Sequence, residues 1–214
     1  MRRLLEGQVA IAVAAVALAL VFFAPRAVAA GPAAEQFRGH MDRMLALLAD
    51  PELRAEARSH DRRAAIRQLG QEFFDLAETT KRCLGAHWQG RTPAEREEVV
   101  RLFGDLLERS YLSKLDGYAG ERMIVLGDVI DGDQAVVRTT VVTKQGTEIP
   151  VDYRMLRRGD RWVAYDVVIE GISLVANYRT QFNAIIRRSS FHELVRKLRD
   201  KQDERGVRRT SSPS

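Results

Sequence analysis

Four histidines, one cysteine and a run of aspartates are the side chains of this 214-residue chain best suited to hold a metal or attack a substrate. His40, His60, His87 and His192 include no pair spaced four apart, no His-Glu-x-x-His stretch occurs, and Cys83 is the only cysteine. A zinc site needs three or four such ligands at set spacings, so none is expected. Asp128, Asp131 and Asp133 are spaced like the start of a calcium loop, but the remaining ligands and the closing glutamate at the twelfth position are missing. They read as a polar hairpin turn. There is no Gly-x-Ser-x-Gly and no glycine-rich phosphate loop.

Two aspartate–tyrosine neighbours, Asp152-Tyr153 and Tyr165-Asp166, have the residue types for proton transfer on a small apolar substrate. Adjacent strand residues point to opposite faces, so neither pair supplies two groups to one pocket. Structural hydrogen bonding is the expectation for both. Cys83, among apolar neighbours in a helical stretch, reads as a buried small apolar residue. These residues point to no enzyme, no cofactor and no metal.

The elements that would position these residues follow from periodicity. Ala34 to Ala49 carries Phe37, Met41, Met44, Leu45 and Leu48 at helical spacing, and Arg62 to about Leu84 does the same with Ile66, Leu69, Phe73, Phe74 and Ala77. Thr92-Pro93 opens a third helix, with Glu95 completing a capping box and Gly117 as its stop. Its apolar face is Val99, Leu102, Phe103, Leu106, Leu107, Tyr111 and Leu115. The period then changes to two. Arg122–Ile130, Gln134–Thr143, Glu148–Leu156 and Arg161–Glu170 read as four strands joined by short turns at Asp131-Gly132, Lys144-Gln145-Gly146 and Arg158-Gly159-Asp160. Leu174–Arg187 and Phe191–Lys201 close the chain as helices. The fold class is therefore α+β, a four-stranded antiparallel meander covered by helices. Val163, Tyr165, Val167 and Ile169 are expected on one face of the fourth strand, against Trp162, Ala164, Asp166 and Val168. A strand apolar on both sides is covered twice or lines a cavity.

The N-terminus reads as an export leader. Arg2 and Arg3 precede an apolar run from Val9 to Ala24, and Ala27-Val28-Ala29 is a small-x-small site, with cleavage expected after Ala29 or Ala30. The run is short for a full span of roughly 20 residues, which argues against the competing reading of an uncut anchor. No cysteine follows it for a lipid anchor. The division expected is a leader over 1–29, one domain over 34–202 and a disordered basic tail over 203–214. Losing three arginines and one glutamate with the leader lowers the formal charge from +5 to +3, too little to imply nucleic acid.

From Phe73 onward the chain resembles a known family. Phe74-Asp75, Leu84-Gly85-x-x-Trp88, Thr92-Pro93-x-x-Arg96, Phe103, Leu107, Tyr111 and Leu115-x-x-Tyr118 carry the likeness. It is strongest in Ile149-Pro150-Val151-Asp152-Tyr153-Arg154, in Trp162-x-x-Tyr165-Asp166-Val167-x-x-Glu170-Gly171-Ile172-Ser173-Leu174, and in Asn177-Tyr178-Arg179-x-Gln181-Phe182. These stretches are similar to the MlaC (toluene-tolerance) family of periplasmic phospholipid-binding proteins, over roughly residues 35 to 202. The resemblance implies an NTF2-like cone with additional helices. It implies a periplasmic carrier, expected as a monomer, that holds acyl chains in an apolar cavity. Its partners would be an outer-membrane lipoprotein complex and an inner-membrane ABC transporter complex, and its role the maintenance of outer-membrane lipid asymmetry. Some relatives are associated with hopanoids, so a hopanoid-type lipid is the alternative cargo. An NTF2-like enzyme on a small apolar substrate and an assembly factor binding a protein partner are the rival classes.

The helix faces and the sheet together offer more apolar surface than a thin α+β core requires. Acyl chains are accordingly expected between Val151, Tyr153, Val163, Tyr165 and Val167 of the sheet and Phe103, Leu107, Tyr111, Tyr178 and Phe182 of the helices. The leader predicts its own outcome: mass spectrometry of the exported protein should find an N-terminus at Ala30 or Gly31, and an intact Met1 in the periplasmic fraction would refute it.

Overall fold

The computed structural model describes residues 31–54, 56–115 and 120–210; the leader, the expected stop at Gly117 and the last four residues lie outside these. Helix α1 (Pro32–Ala49) starts with Gly31 as N-cap and Pro32 at the first position, where its missing N–H costs nothing. Its apolar stripe buries Phe37 and Leu48. A short helix, α2 (Pro51–Arg54), and a 3-10 turn (Glu56–Arg58) lead into α3 (Ser59–Phe73).

One helix from Arg62 to Leu84 is the expectation from periodicity, and the structure breaks it. Phe74 is extended and forms a parallel bridge to Ala164, and the Asp75 amide donates to the Ala164 carbonyl at 2.8 Å. The Asp75 carboxylate then accepts the Glu78 amide at 2.8 Å and starts a separate helix, α4 (Leu76–Leu84). An aspartate that can cap competes with a continuing helix, and Asp75-x-x-Glu78 is a recognisable start signal that a long apolar period conceals. A 3-10 turn (Gly85–Trp88) separates α4 from α5 (Pro93–Leu115). The capping box of α5 forms as expected: the Glu95 carboxylate accepts the Thr92 amide at 2.8 Å, and the Thr92 hydroxyl oxygen accepts the Glu95 amide at 3.2 Å.

The sheet is antiparallel in the order β1 (Arg122–Asp131), β2 (Gln134–Val142), β3 (Glu148–Arg158), β4 (Arg161–Ile169), β5 (Ile172–Ser173). The fifth strand corrects the expected four. Glu170 and Gly171 both take positive φ, +50° and +81°, and form a two-residue turn that folds Ile172 and Ser173 back onto Ile169 and Val168. Helices α6 (Leu174–Arg188) and α7 (Phe191–Thr210) follow. The Ser190 hydroxyl oxygen accepts the Glu193 amide at 3.1 Å and starts α7. That helix continues past Lys201 to Thr210, through Gln202, Asp203, Glu204 and Arg205, most of them good helix formers.

Two hydrophobic cores result. One lies between α1, α3 and the sheet, with Phe37 and Phe73 against Ala135, Val137, Met155, Trp162 and Ala164. The other joins α4 to α7, with Leu84, Val99, Leu102, Phe103, Val175, Phe182 and Leu194. Asp166 ties the second to the sheet. It is 2 % exposed; its Oδ1 accepts the Val175 amide at 2.9 Å, and its Oδ2 accepts the Ser173 hydroxyl at 2.6 Å and Nη1 of Arg154 at 3.2 Å. The Ser173 hydroxyl oxygen in turn caps α6 by accepting the Ala176 amide at 3.0 Å. Asp166 has the structural, hydrogen-bonding role expected of it.

Because its buried donors would be left unpaired, Asp166→Ala should cost about 2–3 kcal/mol in urea unfolding. Arg154→Ala should cost about 1–3 kcal/mol, because the Asp166 carboxylate, whose side chain is 1 % exposed, loses a charged donor.

Candidate functional site

The pairing register decides which apolar side chains share a face. Val151 pairs with Ile169 and Tyr153 with Val167, while on the other side Val151 pairs with Thr139 and Tyr153 with Val137. Cross-strand partners lie on the same face. A bulge interrupts β4: Arg154 pairs with Asp166, but the next residue, Met155, pairs with Ala164. The extra residue is Tyr165, and it reverses the alternation of β4.

This corrects one expectation. Val163 pairs with Leu156 and so lies on the face opposite Val167, not beside it. Tyr165 is covered elsewhere. The Arg82 guanidinium of α4 stacks over its ring at 3.9 Å, and its carbonyl accepts the Thr79 hydroxyl at 2.9 Å. The inner face contains Val151, Tyr153 and Val167 of the expected lining, together with Ile149 and Ile169, which alternation places beside them, and residues of β1 and β2 outside that lining. Val125, Thr139, Val151 and Ile169 form one row across the sheet, and Met123, Val141 and Ile149 form the next.

Burial falls along these rows. Ala135, Met155 and Ala164 are sealed beneath α1 and Phe73. Tyr153 lies at the border, with its ring 4.6 Å from Phe37 and 5.9 Å from Phe73. Beyond it Thr139 and Val151 are still buried, at 1 % and 6 %, while Met123, Val125, Val141, Ile149 and Val167 are only partly covered and Ile169 is 42 % exposed. This end of the sheet face is apolar and incompletely packed.

The expected helix residues form their own group. Phe103, Tyr178 and Phe182 make a triangle of rings with centroids 4.8, 5.0 and 5.7 Å apart. Phe103 and Phe182 are buried, Leu107 and Tyr178 are partly covered, and Tyr111 is 38 % exposed. Burial, then Tyr111 and Cys83, hold the Tyr178 hydroxyl above its ordinary ionisation range. An ion pair from Arg67 of α3 to Glu108 of α5, at 2.8 and 2.5 Å, fastens α5 to α3 one residue from Leu107. The structure thus places Phe103, Leu107, Tyr178 and Phe182 in the helical core, and Val151, Tyr153 and Val167 on the inner sheet face.

Chemically these groups offer apolar surface and little else. Burial pushes the Tyr153 hydroxyl and the Cys83 thiol each up to about 12, so both are protonated at neutral pH. No group of three or more His, Cys, Asp or Glu among the described residues is placed to hold a metal ion. Partly exposed apolar rows beside filled cores favour hydrocarbon over water.

The MlaC protein family matches residues 38–200 of the chain. The intermembrane phospholipid transport system binding protein MlaC of Haemophilus influenzae is 21 % identical over 141 residues, which cover 64 % of this chain and 66 % of that protein, just under two thirds of its length. Among solved structures, the phospholipid-binding protein from Ralstonia solanacearum in complex with a phospholipid superposes with a TM-score of 0.69 at 26 % identity. That likeness covers 80 % of this chain and 97 % of the other.

The raised ionisations carry a sign. The thiol ionises near 9.0 when unfolded and the phenol near 10.0, against about 12 for each in the fold. Their contribution to stability is complete below pH 9 and is lost as pH rises towards 12. Folded protein at pH 8 should therefore leave Cys83 unreactive to a thiol reagent and release one equivalent on denaturation; a full equivalent titrating in the native state would contradict its burial.

Proposed function

The chain belongs to the MlaC family, and on that premise we propose that it is a periplasmic lipid carrier which holds the acyl chains of a phospholipid against the inner sheet face. The observation that carries this reading is the incompletely packed apolar end of that face, where Met123, Val125, Val141, Ile149, Val167 and Ile169 remain partly exposed. The phospholipid bound to the Ralstonia protein, almost all of which this chain matches in shape, supports the same cargo. Tyr111 and Tyr178, apolar rings with polar tips at the margin of the helical core, suit the border between chains and headgroup. Val163 and Tyr165 leave the proposed lining, and Ile149 and Ile169 join it.

A carrier of this kind needs no nucleophile. Two acyl chains of about 30 methylenes gain roughly 25 kcal/mol against water, at about 0.8 kcal/mol each. A bilayer offers the same gain, so transfer between membrane and protein is close to balanced. Loading and unloading can then both occur, and direction comes from docking partners. The proposed partners are an outer-membrane lipoprotein complex and an inner-membrane ABC transporter complex, and the proposed outcome is maintained lipid asymmetry of the outer membrane.

Bulky substitution separates cavity from core. Val151→Trp and Val167→Trp should lower the phospholipid extracted per purified chain while the delipidated protein melts near the wild-type temperature. Met155→Trp, in the sealed core, should cost about 1–3 kcal/mol or more instead. Strong destabilisation by both valine variants with unchanged lipid content would return these residues to the core.

A further inference from the structure

We propose that the export leader is cut between Ala30 and Gly31, and that the α-ammonium group so released docks on the buried carboxylate of Asp128. The inference rests on the export reading and adds the bond that is cut and the group that receives the new terminus.

Asp128 lies on β1 at 7 % exposure, opposite the fully buried Val137. Its Oδ1 stands 2.7 Å from the backbone nitrogen of Gly31 and its Oδ2 accepts the Ala34 amide at 2.9 Å. A carboxylate withdrawn from water needs donors and, better, a full opposite charge. The two backbone groups supply hydrogen bonds and the positive end of α1, but only partial charge. The nitrogen it holds most closely belongs to the residue that becomes the N-terminus if processing follows Ala30.

The residue type at position 31 agrees. A β-carbon there would stand 2.6 and 2.8 Å from the two carboxylate oxygens and 3.0 Å from Cγ, so only glycine lets the nitrogen approach. Its φ of −81° is open to any residue, so the requirement is for room and not for backbone freedom. Ala33 and Ala34, just behind it, are fully buried, which embeds the start of α1. The Ala29–Ala30 bond follows the small-x-small stretch Ala27-Val28-Ala29, whereas the Ala30–Gly31 bond follows Val28-Ala29-Ala30, with a small residue next to the cut and a β-branched one three back. The leader pattern alone therefore leans to the first, and the contact with Asp128 is what favours the second. Cutting after Ala29 would leave the ammonium group one residue away from Asp128, and a neutral amide in its place. Cutting after Ala30 turns a hydrogen bond from a neutral amide into an ion pair between an ammonium group and the carboxylate.

The test has two arms. Mass spectrometry of exported protein should give Gly31 as the first residue; a terminus at Ala30 overturns the inference while leaving export intact, and retention of Met1 overturns both. Separately, mature protein beginning at Gly31 should melt about 2–4 °C above protein beginning at Ala30 and above protein with an acetylated Gly31. Asp128→Asn should abolish that difference. Equal melting of the three N-terminal forms with Asp128 intact overturns the ion pair even if Asp128→Asn fails to fold.

Discussion

A buried carboxylate is the joint through which α6 meets the sheet. Asp166 leaves the outer side of β4 and takes an amide from the first turn of α6, a hydroxyl from β5 and a guanidinium from β3. Each donor comes from a different element, so the joint sets where α6 begins and which way it runs. Phe182 and Tyr178 ride on α6, and Phe103 packs against both. The buried charge thus helps set the position of the helical core, beside the bonds from Asp75 and Thr79 to β4. Such a group is costly to desolvate, and the cost is offset only when its lone pairs are occupied, as they are here.

The bulge at Tyr165 is the complementary device. A regular β4 would present one uninterrupted apolar face. With one extra residue, Trp162 and Ala164 face the core under α1, while Val167 and Ile169 continue the row beyond Tyr153. The same extra residue turns Tyr165 towards α4, where Arg82 covers it. Half of the strand thus builds core, and the other half is left on the partly covered end of the sheet. On the proposed reading, a carrier that is stable when empty and still accepts hydrocarbon needs such a division. The sealed half supplies stability, and the open half keeps apolar surface uncommitted.

The capping groups show how much of this was written locally. The Thr92–Glu95 box, the Ser173 cap and the glycine turns are decided within four residues, and each was readable or partly readable from sequence. The break at Phe74-Asp75 is hidden in the sequence, because Phe73 and Phe74 fit the helical period and the Ala164 carbonyl that captures Asp75 is remote in sequence. Val163 and Tyr165 lie off the face that alternation gives them for a similar reason. Strict alternation is the only local rule, and a bulge is selected by what both neighbours pack against.

By itself the sequence determined the class of fold, the four-strand meander between helices and the absence of a second cysteine to pair with Cys83, since all of these follow from periodicity, turn residues and composition. It also determined that Phe103, Tyr178 and Phe182 are apolar helix-face residues. Only the tertiary structure decided which apolar residues meet. It set Asp128 beneath Gly31, some hundred positions earlier, and reversed β4 at Tyr165. It also divided the apolar surface into two sealed cores and one open sheet end. Such outcomes depend on register and on contacts between distant segments, and a side chain's identity states what it can bury, not what will arrive to cover it.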